Sequence, residues 1–147
     1  MRIIKLFFLT LQHLPMPSLG WRSRLCKLGG VNIVNPSNTE IGTQVVFDTM
    51  APERITIEEG VIISTGSKIV SHYLDTHNMT PEDRIKNRYP VGDVVIKKNV
   101  YIGMNTLIVK PVVIGENAIV GAGSVVTHDI PDNEIWAGSP ARCIGRL

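Results

Sequence analysis

The sequence predicts a parallel β-solenoid, a coil of short strands stacked on one another, and three observations carry that prediction. First, Ile and Val together number 34 in the 147 residues, against 10 Leu and 5 Ala. β-Branched side chains lose χ1 freedom in a helix and fit a pleated strand, so the excess points to β structure. Second, 13 Gly and 9 Pro supply many turns. Third, an aliphatic residue returns every six positions, at Ile96, Ile102, Ile108, Ile114, Val120 and Val126. A small or β-branched residue follows four places after each, at Val100, Thr106, Val112, Ala118, Ser124 and Ile130. This period matches neither a helix nor a simple alternating strand. It fits a strand of about four residues and a short corner, where Gly and Asn tolerate positive φ. One such unit cannot hold a core alone, so successive coils must stack by parallel pairing at about 4.8 Å. Periodicity leaves the handedness open, and the general crossover rule favours a right-handed coil.

Taken in order, residues 1–30 read as a helical cap. Ile3 to Leu14 is apolar except for Lys5, Thr10, Gln12 and His13. Twelve helical residues span roughly 18 Å, well short of a bilayer core of about 30 Å. Leu14-Pro15-Met16-Pro17 does not resemble a signal-peptide cleavage site. The first reading of this segment is a short helix packed on the body; the second is an anchor on a membrane surface.

Residues 31–130 read as the coil. Ile41 and Phe47, with Val45 and Ala51 behind them, carry the ladder upstream. Ile57, Ile63 and Ile69 follow, with Val61, Ser67 and Tyr73. Three or four extra residues around Met50 to Arg54 shift the phase between the two runs. The ladder breaks over residues 74–93, LDTHNMTPEDRIKNRYPVGD, a polar stretch with Pro81 and Pro90. It reads as an excursion loop, and loops of this length in a compact domain are often functional. Residues 131–147 read as an exit segment. Cap and exit segment would cover the open ends of the coil, which otherwise invite edge pairing.

Composition narrows the function. Hydrophobic content of 44% with 19% charged residues excludes a disordered chain. Aromatics at 5% disfavour a base-stacking single-strand binder. A net charge of +2 and a pI near 8.6 do not call for a nucleic-acid partner. Cys26 and Cys143 stand far apart and read as two reduced thiols of a cytoplasmic protein.

The runs IGMNTLIVKPVVIGENAIVGAGSVV and IPDNEIWAGSPAR resemble the hexapeptide-repeat acyltransferases. The likeness is to the sugar O-acetyltransferases of the galactoside, maltose and polysaccharide-modifying type, and it covers roughly Ile41 to Arg146. It implies an all-β, single-stranded left-handed parallel β-helix, against the crossover rule, with the helical cap and excursion loop as additions. It also implies a homotrimer with active sites between subunits, acetyl-CoA as donor, and a hydroxyl of a sugar or glycan precursor as acceptor.

The resemblance makes His72, in the run IVSHYLDTHN, the catalytic base. A sugar hydroxyl is a poor nucleophile at neutral pH, and an imidazole can take its proton as the oxygen attacks the thioester, a gain of roughly 10²–10⁴ in rate. His77 is the rival base; together with Asp75 it is otherwise a candidate contact for the acceptor. Asp48 falls near an acidic position that faces the acceptor in the family. A backbone N–H near Gly103 and Met104 would stabilise the oxyanion; relatives often carry Ser where Met104 stands, and Met104 offers only its backbone. Gly121, Ala122 and Ser124 are small enough for a pantetheine arm to run past, although corner and core positions also call for small residues. Thr127 matches a position near the pantetheine, and Tyr101 stands where relatives often have Trp. Arg142, with Arg146 behind it, suits the CoA phosphates.

Three other readings compete. One is an acetyltransferase for another acceptor, whether an antibiotic, an amino-sugar amine or serine; the DHGTG-like signature of the serine enzymes is absent. Another is a zinc enzyme of the γ-carbonic anhydrase kind. His72 and His77 have its H-x4-H spacing, but the third His expected near Pro36 is missing, so no metal is expected. The last is a non-enzymatic scaffold, which would have no need of His72. Neither cysteine lies in the repeat beside His72, so transfer is expected to be direct, without an acyl-enzyme.

Overall fold

The computed structural model describes residues 2–11, 19–73, 80–82 and 89–147. Among the described residues, thirteen of fourteen strands, most of them two or three residues long, build a coil with three faces. The first face stacks β1 (Asn32–Ile33), β4 (Ile55–Ile57), β7 (Val94–Ile96) and β10 (Val112–Ile114). The second stacks β2 (Glu40–Ile41), β5 (Ile62–Ile63), β8 (Tyr101–Ile102), β11 (Ile119–Val120) and β13 (Glu134–Gly138). The third stacks β3 (Val46–Phe47), β6 (Lys68–Ile69), β9 (Leu107–Ile108) and β12 (Val125–Val126). Among the described residues, the strands of the three faces pair in parallel, and β14 (Ala141–Arg146) folds back antiparallel on β13.

The six-residue ladder becomes three internal stacks, one behind each face. Ile33, Ile57, Ile96 and Ile114 pair rung on rung. So do Ile41, Ile63, Ile102 and Val120, and Phe47, Ile69, Ile108 and Val126. All twelve are buried, and Val45, Val61, Val100, Val112 and Ala118 fill the space between them. Besides the excursion, two departures from the period are 3₁₀ turns opened by proline. Pro36–Asn38 stretches the step from Ile33 to Ile41 to eight residues, which hid the first rung from the sequence pattern. Pro52–Arg54 makes the phase shift expected around Met50 to Arg54. The parallel ladder also runs past residue 130, because Ile130 bridges to Ile114 and β13 pairs with β11.

Asparagine governs one line of corners. Asn99, Asn117 and Asn133 hold φ of 57°, 59° and 61°, a left-handed conformation that Asn tolerates better than most residues. Their amides form a ladder: Asn99 Nδ2 donates to Asn117 Oδ1 (3.2 Å), and Asn117 Nδ2 to Asn133 Oδ1 (2.9 Å). Gly60 occupies the same line one coil earlier, where a Cβ would stand 2.3 Å from Asn99 Oδ1.

The cap is two helices, α1 (Arg2–Leu11) and α2 (Leu19–Leu28). They pack on each other, and α2 lies against β1 and β2 at the open end of the coil. Leu9, Leu25 and Cys26 are buried there, and the Ser23 hydroxyl donates to Thr39 O. Burial pushes the Cys26 thiol up to about 12 against the opposing charge of Arg22, so it is a packing residue and not a nucleophile.

Candidate active site

The insertion that shifts the phase also creates a carboxylate socket. Asp48 follows β3 directly, where the chain leaves the third face, and its side chain turns under the next coil. Oδ1 accepts the Met50 N–H (2.8 Å). Oδ2 accepts the Ser71 N–H (2.9 Å), the Ser71 hydroxyl (2.7 Å) and the His72 N–H (3.0 Å). It also meets His72 Nδ1 at 2.6 Å. The Asp48 side chain is 1% exposed, against 32% for His72. Burial by itself raises the carboxyl pKa. The hydrogen bonds from the Ser71 hydroxyl, Met50 N–H, His72 and Ser71 N–H outweigh burial and bring it down to about 2. Asp48 is therefore an anion held beneath the imidazole, where the sequence reading had it facing an acceptor.

This arrangement determines what His72 can do. A carboxylate at Nδ1 fixes the proton on that nitrogen and leaves the lone pair on Nε2. The tautomer of His72 is thus chosen by a buried partner, with Nε2 left as the acceptor nitrogen. The ring is fixed from other sides as well. Tyr89 packs at 5.9 Å between ring centroids, tilted by 56°. The two ends of the excursion are tied together at the same place, since Gly92 N–H donates to Ser71 O (3.0 Å) and Tyr73 N–H to Pro90 O (3.1 Å). His77 and Asp75 lie outside the described residues.

A cleft of about 410 Å³ begins one residue past Asp48. It opens between α1 and the phase-shifting turn and is lined by Lys5, Leu6, Leu9, Met50, Pro52 and Glu53, with Thr49 at its edge.

The residues matched to CoA binding gather elsewhere, on the corner between the second and third faces. Gly103 and Gly121 are stacked there: a Cβ on Gly103 would stand 2.4 Å from Ala122 N, and one on Gly121 would stand 2.9 Å from Ala137 Cβ. Glycine is required at Gly103 because the backbone of the next coil passes that close. Ala137 pairs with Arg142, which brings the exposed guanidinium to the end of the same corner. Met104 and Tyr101 are 51% and 42% exposed beside it. They line a groove of about 260 Å³ with Gly42, Ser64 and Thr65 from the preceding coils. Gly103 N–H is already donated to Val120 O (2.8 Å), so of the two oxyanion candidates only the Met104 N–H is left for the role.

Ser124 is turned inward. It is fully buried, its hydroxyl donates to Gly121 O (2.6 Å), and it accepts the Gly138 N–H (3.2 Å). Thr127 stands at the opposite edge of the third face, with Oγ1 2.9 Å from His128 Nδ1. Arg146 pairs with Glu134 at 2.7 Å. Sequence reasoning missed Ser71, whose hydroxyl and N–H both hold Asp48. Ser71 stands two places after Ile69, off the repeating positions, so the repeat held no signal for it.

His72 and the Gly103–Gly121 corner sit on opposite edges of the third face. Within one chain the sheet separates them.

Residues 93–128 match the family described as "Bacterial transferase hexapeptide (six repeats)". The protein YvoF of Bacillus subtilis (strain 168) is 35% identical over 106 residues, which is 72% of this chain and 56% of YvoF. The galactoside O-acetyltransferase of Escherichia coli (strain K12) is 37% identical over 93 residues, 63% of this chain and 44% of that enzyme. The chain thus spans about half the length of these curated relatives. Among solved structures, a hexapeptide-repeat acetyltransferase of Vibrio cholerae O1 biovar eltor, complexed with acetyl-CoA, superposes with a TM-score of 0.74. That match covers 99% of this chain and 86% of the other at 24% identity, a likeness of fold.

Proposed function

We propose that this chain, whose residues 93–128 match a hexapeptide transferase family and which is similar to acetyltransferases, transfers an acetyl group from acetyl-CoA to a hydroxyl of a sugar or glycan precursor. The observation that carries the proposal is the Asp48–His72 pair, a half-buried imidazole set on a buried carboxylate at 2.6 Å. In this reading His72 Nε2 takes the proton of the acceptor hydroxyl as its oxygen bonds to the thioester carbonyl carbon. The Met104 N–H stabilises the oxyanion of the tetrahedral intermediate. The intermediate collapses by breaking the C–S bond, and the imidazolium returns its proton to the departing thiolate. Asp48 is the positioning residue, acting through the tautomer and orientation of His72.

The donor fits the glycine corner. Ala122 is exposed there and Gly121 half-buried, and Tyr101 and Met104 line a groove on the coil before. Tyr101, Gly103, Met104, Gly121 and Ala122 would run along the pantetheine, with Arg142 toward the phosphates; Ser124 shapes the corner from inside, and Thr127 lies nearer the base. Because His72 and this corner occupy opposite edges of one face, a complete site needs the His72 edge of one copy beside the corner of another. That supports sites between subunits, and the homotrimer of left-handed coils that the resemblance implies is the assembly proposed. A cytoplasmic location accords with an acetyl-CoA donor.

A panel of hydroxyl and amine sugars, assayed for thiol release from acetyl-CoA with the product identified by mass, tests the proposal. O-acetyl products are expected. Acetylation of amines alone would favour the N-acyl reading, and no transfer to any acceptor would reject both.

A further inference from the structure

The cap presents an outward surface that the coil does not use. On α1, Ile3 is 83% exposed, and Ile4 and Phe7 are each 60% exposed. On α2, Trp21 and Leu28 are exposed together with Arg24 and Lys27. Trp21, Arg24 and Leu28 recur at helical spacing and share one face. The Arg24 guanidinium lies 6.0 Å from the centre of the Trp21 ring. The inner side of α1 is committed to the body, where Leu9 is buried and Lys5 pairs with Glu53 at 3.3 Å.

Charge divides along the same boundary. Residues 1–30 contain five Lys or Arg and no Asp or Glu, whereas residues 31–147 contain ten Lys or Arg and all thirteen acids. The chain as a whole is close to neutral, so the asymmetry belongs to the cap. Exposed aliphatic and aromatic side chains, a Trp at the boundary and a local excess of cations are what an interfacial helix needs on an anionic bilayer. The ten residues of α1 extend roughly 15 Å, so such a helix lies in the surface and does not cross it. A second copy meeting this face symmetrically would set one cationic cap against another.

We propose that the two-helix cap docks this protein on an anionic lipid surface, with Ile3, Ile4, Phe7 and Trp21 entering the headgroup region and Arg24 and Lys27 meeting lipid phosphates. The inner side of α1 forms a wall of the cleft beside Met50, whose N–H donates to Asp48, the partner of His72. If the transfer reading holds, an acceptor carried on a lipid would be presented to that cleft; the docking itself does not depend on it.

The test is co-sedimentation of the full chain with vesicles of phosphatidylcholine alone and of phosphatidylcholine mixed with phosphatidylglycerol. Binding is expected to the mixed vesicles only, weakening at least about tenfold as salt is raised. The double variant Ile3→Asp, Phe7→Asp should lose binding, and Arg24→Gln with Lys27→Gln should weaken it by roughly tenfold or more. Both variants change exposed positions, and their thermal melts should match the parent. Absence of binding to mixed vesicles, or undiminished binding by the Ile3/Phe7 variant, would overturn the proposal. So would a smaller oligomer for that variant in sedimentation velocity, which would make the face a contact between copies. Acetyl transfer is measured separately, so its failure leaves this result standing.

Discussion

Replacing Asp48 with Asn separates the two things this carboxylate does. The substitution keeps one oxygen acceptor and replaces the other with an amide donor. Oδ2 accepts four donors from Ser71 and His72, and Oδ1 accepts only the Met50 N–H. The amide oxygen will therefore take the Oδ2 place, and its NH₂ will face the Met50 N–H. A carboxyl moved from 3.8 to about 2 on folding contributes about 2 kcal/mol of stability at neutral pH. The orphaned Met50 N–H adds a further cost of about 1 kcal/mol. The sign follows from the direction of the shift. A folded-state pKa below the unfolded one stabilises above the unfolded value, and that stability is lost as pH falls through the folded value. The gap between parent and variant should be full above about pH 4 and shrink by about 2 kcal/mol toward pH 2. Urea unfolding across that range measures it. Turnover should fall by roughly 10² or more, with little change in KM for acetyl-CoA, because the lost partner orients the base and does not touch the donor. A stability gap independent of pH, or unchanged turnover, would refute the reasoning.

Three further outcomes are expected. Gly103→Ala puts a Cβ 2.4 Å from the backbone nitrogen of Ala122, so the coils must part. A loss of about 1–3 kcal/mol is expected, read as a drop of roughly 3–10 °C in Tm. Asn117→Ala loses two ladder hydrogen bonds and forces Ala to φ of 59°, a backbone penalty of about 1–2 kcal/mol. Asn117→Gly should recover the backbone part and not the hydrogen bonds, as a urea titration of both variants will show. Ala122→Trp should block the glycine corner, and oligomers mixed from this variant and His72→Ala should regain activity that neither has alone; no recovery would place base and donor in one chain.

The coil was legible because its restraint is local. An inward stack needs an aliphatic side chain once per face, so Ile96 through Val126 repeat without interruption; which rungs pair, Ile96 with Ile114 and Ile102 with Val120, is seen only in the structure. Ile33 escaped because a 3₁₀ turn from Pro36 breaks the period before the first full step. The candidate base was legible only through the resemblance around His72. Its partner was assigned another role, because the relation of Asp48 to His72 depends on how nine residues from Asp48 to Thr56 fold between two ladder runs. No spacing rule reports that. The cap was legible as short apolar helix, but its outward faces were not, since the exposed side of a helix depends on what it packs against. That His72 and the glycine corner occupy opposite edges of a face emerges only when three strands are assigned to each coil.

The central claim is that His72 is the base for acetyl transfer from acetyl-CoA to a sugar hydroxyl. Its most direct test is the rate of thiol release with an active acceptor for the parent and for His72→Ala, with acetyl-CoA affinity and oligomer size measured on both. Turnover should fall by roughly 10²–10⁴ while affinity and size stay the same. Unchanged turnover in His72→Ala would contradict it.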